Sequence, residues 1–316
     1  MSAAAPTSTL WNAVRGALAT KALALVADLG VADALAAGPK DVDELAREVG
    51  ADADTLHRLL RALASDGIFA EAEPGVFRNS DASELLRHSG WDDFAHLFGG
   101  VWLGAIAELD ATGEPSFPRL NGTEFWSWLA AHPDERGAFD RAMEQGWENR
   151  LERLASVEWR GDEQIVDVGG GNGSLLLHLL ERHPGLTGIV FDLPETVRDE
   201  SAFGERCSFV AGDFFDRVPQ SDTYVLSTIL HDWDDASAAR VLQTIRAAAD
   251  GDARLILLES TVDEGNGPDG AKWLDLLMLT LFAGRERDEA QWRALLAEGG
   301  FRIERLRPGL IEARCR

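Results

Sequence analysis

The chain has 316 residues, 45% of them hydrophobic, and a formal net charge of −24. Its length suffices for two domains with cores of their own. Acidic residues outnumber basic ones 24 to 12 in residues 1–150 and 30 to 18 in the remainder, so the acidity is global and excludes a chain built to grip nucleic-acid phosphates or an anionic membrane. Two cysteines, Cys207 and Cys315, make neither a disulfide framework nor a zinc spacing. The first residues, Met1 to Ser8, lack a basic region followed by an apolar core, and no run approaches about eighteen apolar residues, so a cytoplasmic protein without a membrane segment is expected.

From the N-terminus, Leu18, Ala22, Leu25, Leu29 and Leu35 recur at helical spacing and predict an amphipathic helix pair broken near Gly30. Asp41 precedes a second helical segment from Val42, as an acidic N-cap does. Asp52 caps a further helix whose apolar face is Leu56, Leu59, Leu60 and Leu63, with Gly67 at its end. Ile68-Phe69 and Val76-Phe77 flank the turn Glu73-Pro74-Gly75 as a short hairpin. Helix, helix, hairpin is a winged-helix layout, and DNA binding is its obvious use. Residues 41–90 carry 11 acidic and 5 basic side chains, so dimerisation is the better reading.

Trp91, Trp102, Trp126 and Trp128 crowd the next stretch and read as core or dimer interface. Glu135 to Ser156 reads as one long helix with Phe139, Met143 and Trp147 at i, i+4 and i+8 on one face. Core packing explains that face; its functional reading is a greasy wall for a planar substrate.

From residue 164 strands and helices alternate. Strands are expected at Gln164–Val168, Gly188–Phe191, Cys207–Val210, Thr223–Thr228, Arg254–Glu259, Arg302–Arg307 and Leu310–Ala313, with helices near 174–182, 195–201, 235–249 and 288–299. That order predicts an α/β fold with a doubly wound, mostly parallel sheet, whose ligands sit at the carboxyl ends of the strands. The first strand runs into Gly169, Gly170, Gly171 and Gly173 and then a helix start. Glycine admits positive φ and close approach of a ligand to bare backbone, and a helix N-terminus offers free N–H groups. The dinucleotide spacing fails, because Ser174 stands where its third glycine belongs. Asp192 ends the second strand, where an acid can accept from both ribose hydroxyls. Asp213 and Phe214, past the third, can give an adenine an amine acceptor and an apolar face. His231 follows the fourth strand, where a sheet would present it to substrate, and Asp232, Glu259 and Glu286 can lie close enough to orient it as a base.

The blocks Asp167–Gly173, Phe191-Asp192-Leu193-Pro194, Gly212-Asp213-Phe214-Phe215, Leu230-His231-Asp232-Trp233 and Gly284-Arg285-Glu286-Arg287 together resemble the S-adenosylmethionine-dependent O-methyltransferases of the plant caffeate type, above all bacterial members that tailor aromatic natural products. The resemblance runs from about residue 10 to the end. It implies a Rossmann-like methyltransferase domain over 96–316, an N-terminal winged-helix dimerisation domain over 10–95, and a homodimer. It implies S-adenosyl-L-methionine as cofactor, an aromatic small-molecule acceptor and no metal. His231 would be the general base, flanked by Glu259 and Glu286. Gly169, Gly171, Asp192, Leu193, Asp213, Phe214, Ser227 and Trp233 would hold the cofactor. Phe139, Met143, Trp147, Asp232, Met278 and Phe282 would line the substrate. Plant members commonly carry Lys where Ser227 stands, and the link Arg305–Leu310 is shorter than usual. Two other readings stay open: the same fold turned to N-methylation, hydroxylation or a pericyclic step, and a winged-helix regulator with a sensing domain.

Overall fold

The computed structural model describes residues 6–87, 90–194, 196 and 204–316. It divides into two compact units, Met1–Glu108 with Trp126–Gln145, and Leu109–Phe125 with Gly146–Arg316.

In the first unit the capping signals act where they were read. The Asp41 carboxylate accepts the Asp43 N–H at 2.9 Å and opens the helix Val42–Val49. Asp52 accepts the Thr55 N–H at 2.8 Å and opens Ala53–Ser65. Each side chain satisfies a donor that the first helical turn leaves without a partner. Leu56, Leu60 and Leu63 are buried, with Leu59 packed at the margin of the same core. Strands β1 (Lys40–Asp41), β2 (Phe69–Glu73) and β3 (Val76–Asn79) form a small antiparallel sheet in the order β1-β3-β2, which buries Phe69 and Phe77. This is the expected winged-helix layout. Trp102 is a core residue that meets Phe98 edge to face at 5.0 Å, whereas Trp91 is exposed.

The long helix expected over 135–156 does not form. Pro133–Glu144 and Trp147–Ala155 are separate helices, parted by an extended Gln145 and by Gly146 at φ +74°. Glycine in the left-handed region is a common helix terminator. The apolar period of Phe139, Met143 and Trp147 runs across this break, so the three do not share one helical face. The Trp147 side chain lies outside what the structure describes.

The second unit is built on a seven-stranded sheet: β4 (Gln164–Val168), β5 (Thr187–Asp192), β6 (Cys207–Ala211), β7 (Thr223–Ser227), β8 (Arg254–Leu258), β9 (Phe301–Arg307) and β10 (Leu310–Cys315), in the order β6-β5-β4-β7-β8-β10-β9. Strands β4 to β8 are parallel, and β10 runs antiparallel to both β8 and β9. Val166, Leu226, Leu255 and Leu257 join one core with Trp292, while Ile165, Val225, Ile256 and Leu258 join another with Leu176 and Leu179. Burial on both faces accounts for the nearly continuous apolar runs of the parallel strands. The chain order reverses between β4 and β7, and the carboxyl ends of strands at such a switch point are where ligands of doubly wound sheets bind.

The helix Gly270–Phe282 was not anticipated, although Asp269 caps it by accepting the Ala271 N–H at 2.9 Å. Its last nine residues are apolar but for Asp275 and Thr280, so no amphipathic period announces it. The helix expected near 195–201 falls almost wholly outside the described residues.

Candidate active site

Three glycines of the β4 loop take left-handed backbone, Gly169 at φ +72°, Gly171 at +61° and Gly173 at +82°. The Gly169 N–H donates to the Phe191 carbonyl at 2.8 Å, and the Gly171 N–H donates to Asp192 Oδ2 at 2.8 Å. Asp192 Oδ1 accepts from the Leu193 N–H at 2.7 Å and from Thr196 Oγ1 at 3.0 Å. The acid that ends β5 therefore organises both the glycine loop and its own. Beneath them Asp167 is buried; burial, and then the Asp192 charge, push its pKa up to about 7 against the pull of Arg150. Arg150, on the helix Trp147–Ala155, is a cation that the sequence reading passed over.

After β6, Asp213 Oδ1 accepts the Phe215 N–H at 2.8 Å. Phe214 and Phe215 meet Trp233 edge to face at 6.0 and 4.7 Å. One aromatic cluster thus joins the ends of β6 and β7, bringing Trp233 onto a Phe pair eighteen or more residues before it.

Past Ser227, Thr228 holds φ +54°, an uncommon conformation for a residue with a side chain. The chain then folds back over the end of β8. Glu259 Oε1 accepts the N–H groups of Ile229 at 3.0 Å and Leu230 at 2.8 Å. A single 3-10 turn, Leu230–Asp232, follows and presents His231. His231 Nδ1 lies 2.6 Å from Glu286 Oε1, and Nε2 lies 3.4 Å from Asp232 Oδ1. All four side chains are buried. Of the two expected flanking carboxylates, Glu286 touches the ring and Glu259 grips the backbone just before it. Glu259 Oε2 and Glu286 Oε2 are buried with no hydrogen-bond partner among the described residues.

Burial by itself would push the His231 pKa down. The charge of Asp232, the hydrogen bond to Glu286 and the charge of Glu259 outweigh it and raise the pKa to about 10. Asp232 is pushed up to about 7 by burial, with His231 pulling the other way. A carboxylate on Nδ1 fixes which nitrogen keeps its proton, and leaves Nε2 as the atom that can exchange one.

The segment 284–287 closes the site from the other side. The Arg285 N–H donates to the His231 carbonyl at 2.8 Å. A Cβ on Gly284 would run into that carbonyl and the Asp232 backbone, so glycine alone fits the approach. The Glu286 N–H donates to Asp275 Oδ1 at 2.8 Å, on the helix Gly270–Phe282. The same helix carries Met278, which is buried, and Phe282, which packs edge to face on Phe125 at 4.8 Å. Phe139 and Met143 belong to the first unit, where Phe139 meets Trp126 edge to face at 5.4 Å. Asp275, Thr196 and Arg150 escaped the sequence reading because nothing in their local pattern distinguishes them from helix surface or turn. No group of three or more His, Cys, Asp or Glu side chains arranged to hold a metal ion occurs among the described residues.

Residues 104–302 match the family model described as an O-methyltransferase domain, and residues 11–89 match the O-methyltransferase dimerisation domain. A phenazine O-methyltransferase of Lysobacter antibioticus is 35% identical over 328 residues, covering 97% of this chain and 96% of that protein. The O-demethylpuromycin-O-methyltransferase of Streptomyces alboniger is 39% identical over 320 residues, covering 94% and 85%. Among solved structures, an O-methyltransferase from neocarzinostatin biosynthesis, in complex with S-adenosyl-L-homocysteine and 1,4-dihydroxy-2-naphthoic acid, superposes with a TM-score of 0.80 at 34% identity, covering 94% of this chain and 96% of that one.

Proposed function

We propose a function from one premise: the chain belongs to the O-methyltransferase family. It is an S-adenosylmethionine-dependent enzyme with an N-terminal dimerisation domain. The reading proposed beyond that premise is transfer of a methyl group to a phenolic or enolic hydroxyl of a planar aromatic molecule, with His231 as general base. The observation that carries it is the buried imidazole past the end of β7, held through Nδ1 by Glu286, at the same edge of the sheet as the glycine loop after β4.

The cradle fits the cofactor. Glycines 169, 171 and 173 leave the β4 loop bare, and Asp192 stands at the end of β5 for the ribose, with Leu193 beside it. Asp213, Phe214, Ser227 and Trp233 supply the adenine side. Arg150, a half-buried cation within electrostatic reach of Asp167, suits the carboxylate of an amino-acid moiety. Bound there, S-adenosylmethionine supplies an electrophilic methyl group.

His231 accepts the hydroxyl proton at Nε2 as the acceptor oxygen becomes a nucleophile. Glu286 stabilises the imidazolium so formed, and Asp232 adjoins the same nitrogen. Because a phenol ionises near pH 10, an imidazole with its pKa raised to about 10 is a strong proton acceptor in its neutral form; that form is the minor one at neutral pH, so turnover should climb as pH rises toward 10. Met278 and Phe282 offer apolar wall. The named relatives act on a phenazine and on a demethylated puromycin, and the structural neighbour holds a naphthoic acid; a fused or substituted aromatic acceptor follows.

Incubation with methyl-labelled cofactor and a panel of phenols, naphthols and hydroxylated polyketides tests this. An O-methyl product carrying the label is expected. Cofactor turnover with the label on nitrogen or carbon would overturn it.

A further inference from the structure

We propose that Arg287 is a positioning residue for the transfer reaction: its guanidinium pins the turn that carries His231 and thereby sets where the imidazole stands against Glu286. The proposal rests on the general-base reading of His231.

Arg287 is fully buried, which is unusual for the most polar of side chains. Most of its donors go to one short stretch, with a further, longer bond from Nη1 to the Arg285 carbonyl at 3.4 Å. Nη1 donates to the Leu230 carbonyl at 2.8 Å and Nη2 donates to the Trp233 carbonyl at 2.9 Å. Nε donates to Asp235 Oδ1 at 2.9 Å. These points flank His231 and Asp232 on both sides. A single 3-10 turn holds itself weakly; Glu259 takes the N–H groups at its start, and Arg287 takes the carbonyls on either side of His231. A planar fork with fixed donor directions can span three acceptors, which a lysine ammonium on a flexible stem cannot.

The guanidinium is itself held. Its face lies 5.2 Å from the Trp292 ring, and the Val262 N–H donates to the Arg287 carbonyl at 3.0 Å just beyond β8. Glu286, the preceding residue, reaches the imidazole. Two neighbouring side chains therefore hold His231 in place, Glu286 by its ring and Arg287 through the carbonyls of Leu230 and Trp233 on either side of it. Packing alone gives no reason for this arrangement, since an apolar residue would fill the space without the cost of burying a charge.

The charged groups around the ring are Asp232, Glu286 and Glu259. Removing the Arg287 cation without moving them would leave the His231 midpoint unchanged or raise it. Loosening the turn would part Nδ1 from Glu286 and lower it. The two effects have opposite signs, so the His231 titration separates a positioning role from a structural one.

The test is ¹³C-histidine NMR on full-length protein bound to S-adenosylhomocysteine, comparing wild type, R287M and R287K, with H231A to assign the resonance. The His231 midpoint should fall by about one unit or more toward the ordinary 6.5 in R287M, and by less in R287K. Affinity for S-adenosylhomocysteine should stay within about threefold, while turnover of 1,4-dihydroxy-2-naphthoic acid falls roughly ten- to a hundredfold at little-changed KM. Should R287M fail to fold, R287K alone decides. A midpoint that stays or rises in a folded variant overturns the proposal. H231A turning over like wild type would instead overturn the general-base reading and leave the NMR comparison intact.

Discussion

His231, the proposed base, has surroundings that act on both of its nitrogens. Glu286 at 2.6 Å stabilises the charged ring and keeps a proton on Nδ1, and Asp232 at 3.4 Å faces Nε2. His231→Ala removes the proposed proton acceptor and none of the groups at the ends of β4, β5 and β6. Turnover should fall by roughly 10²–10⁴-fold at neutral pH, with cofactor affinity little changed by calorimetry. At high pH the acceptor ionises unaided and the gap should narrow; a pH-independent loss under about tenfold would mean that alignment alone carries the reaction. The same group governs stability. Its folded pKa of about 10 lies above the ordinary histidine value, so the protonated ring favours the fold below about pH 6.5, and that contribution is lost as pH rises toward 10. Asp232, raised to about 7, has spent its effect below this window. The melting temperature should therefore decline between about pH 7 and 10, and decline less steeply in His231→Ala. Equal slopes for the two proteins would show that the ring is not charged at neutral pH.

At the scale of elements, the site is two segments laced together. The turn after β7 and the segment 284–287 exchange backbone and side-chain hydrogen bonds, and Gly284 permits their contact. Gly284→Ala puts a methyl group against the His231 carbonyl and must push one segment away. Overpacking of this kind costs about 1–3 kcal/mol. Turnover should drop by at least about tenfold, more than affinity for the cofactor, because the glycine loop lies on other strands. Circular dichroism with calorimetry would check it, and equal losses in both would point to general unfolding. The interrupted helix near Gly146 shows why element boundaries escape a reading by period. Phe139, Met143 and Trp147 keep helical spacing across a break that glycine backbone, not side-chain pattern, creates.

For the molecule as a whole, the N-terminal helices leave apolar side chains uncovered. Leu10, Trp11, Val14 and Leu18 are each more than 60% exposed on Pro6–Val14 and Gly16–Asp28. A contiguous apolar surface of this kind marks an interface, and the matched dimerisation domain begins at residue 11. A homodimer is expected. Trp11→Glu combined with Leu18→Glu buries two charges in that interface and should shift sedimentation to the monomer at micromolar concentration, with the winged-helix core intact by circular dichroism. Wild type sedimenting as a monomer would remove the proposal. The net charge of −24 sharpens the point: two such chains repel, so apolar burial must outweigh their charge.

The sequence by itself determined what local chemistry dictates. The Asp41 and Asp52 caps, the apolar runs of β4, β7 and β8 and the left-handed glycines were legible because caps, periodicity and φ depend on a few neighbouring residues. So was His231 as a candidate, since strand alternation places residue types at carboxyl ends. Tertiary structure decided what depends on residues far apart in the chain. That Glu286 rather than Glu259 meets the imidazole follows from how 284–287 folds onto 230–233, across more than fifty intervening residues. The burial of Arg287, the role of Asp275 and the largely apolar helix Gly270–Phe282 have the same origin: each is specified by its partners in space, and no local pattern encodes a partner.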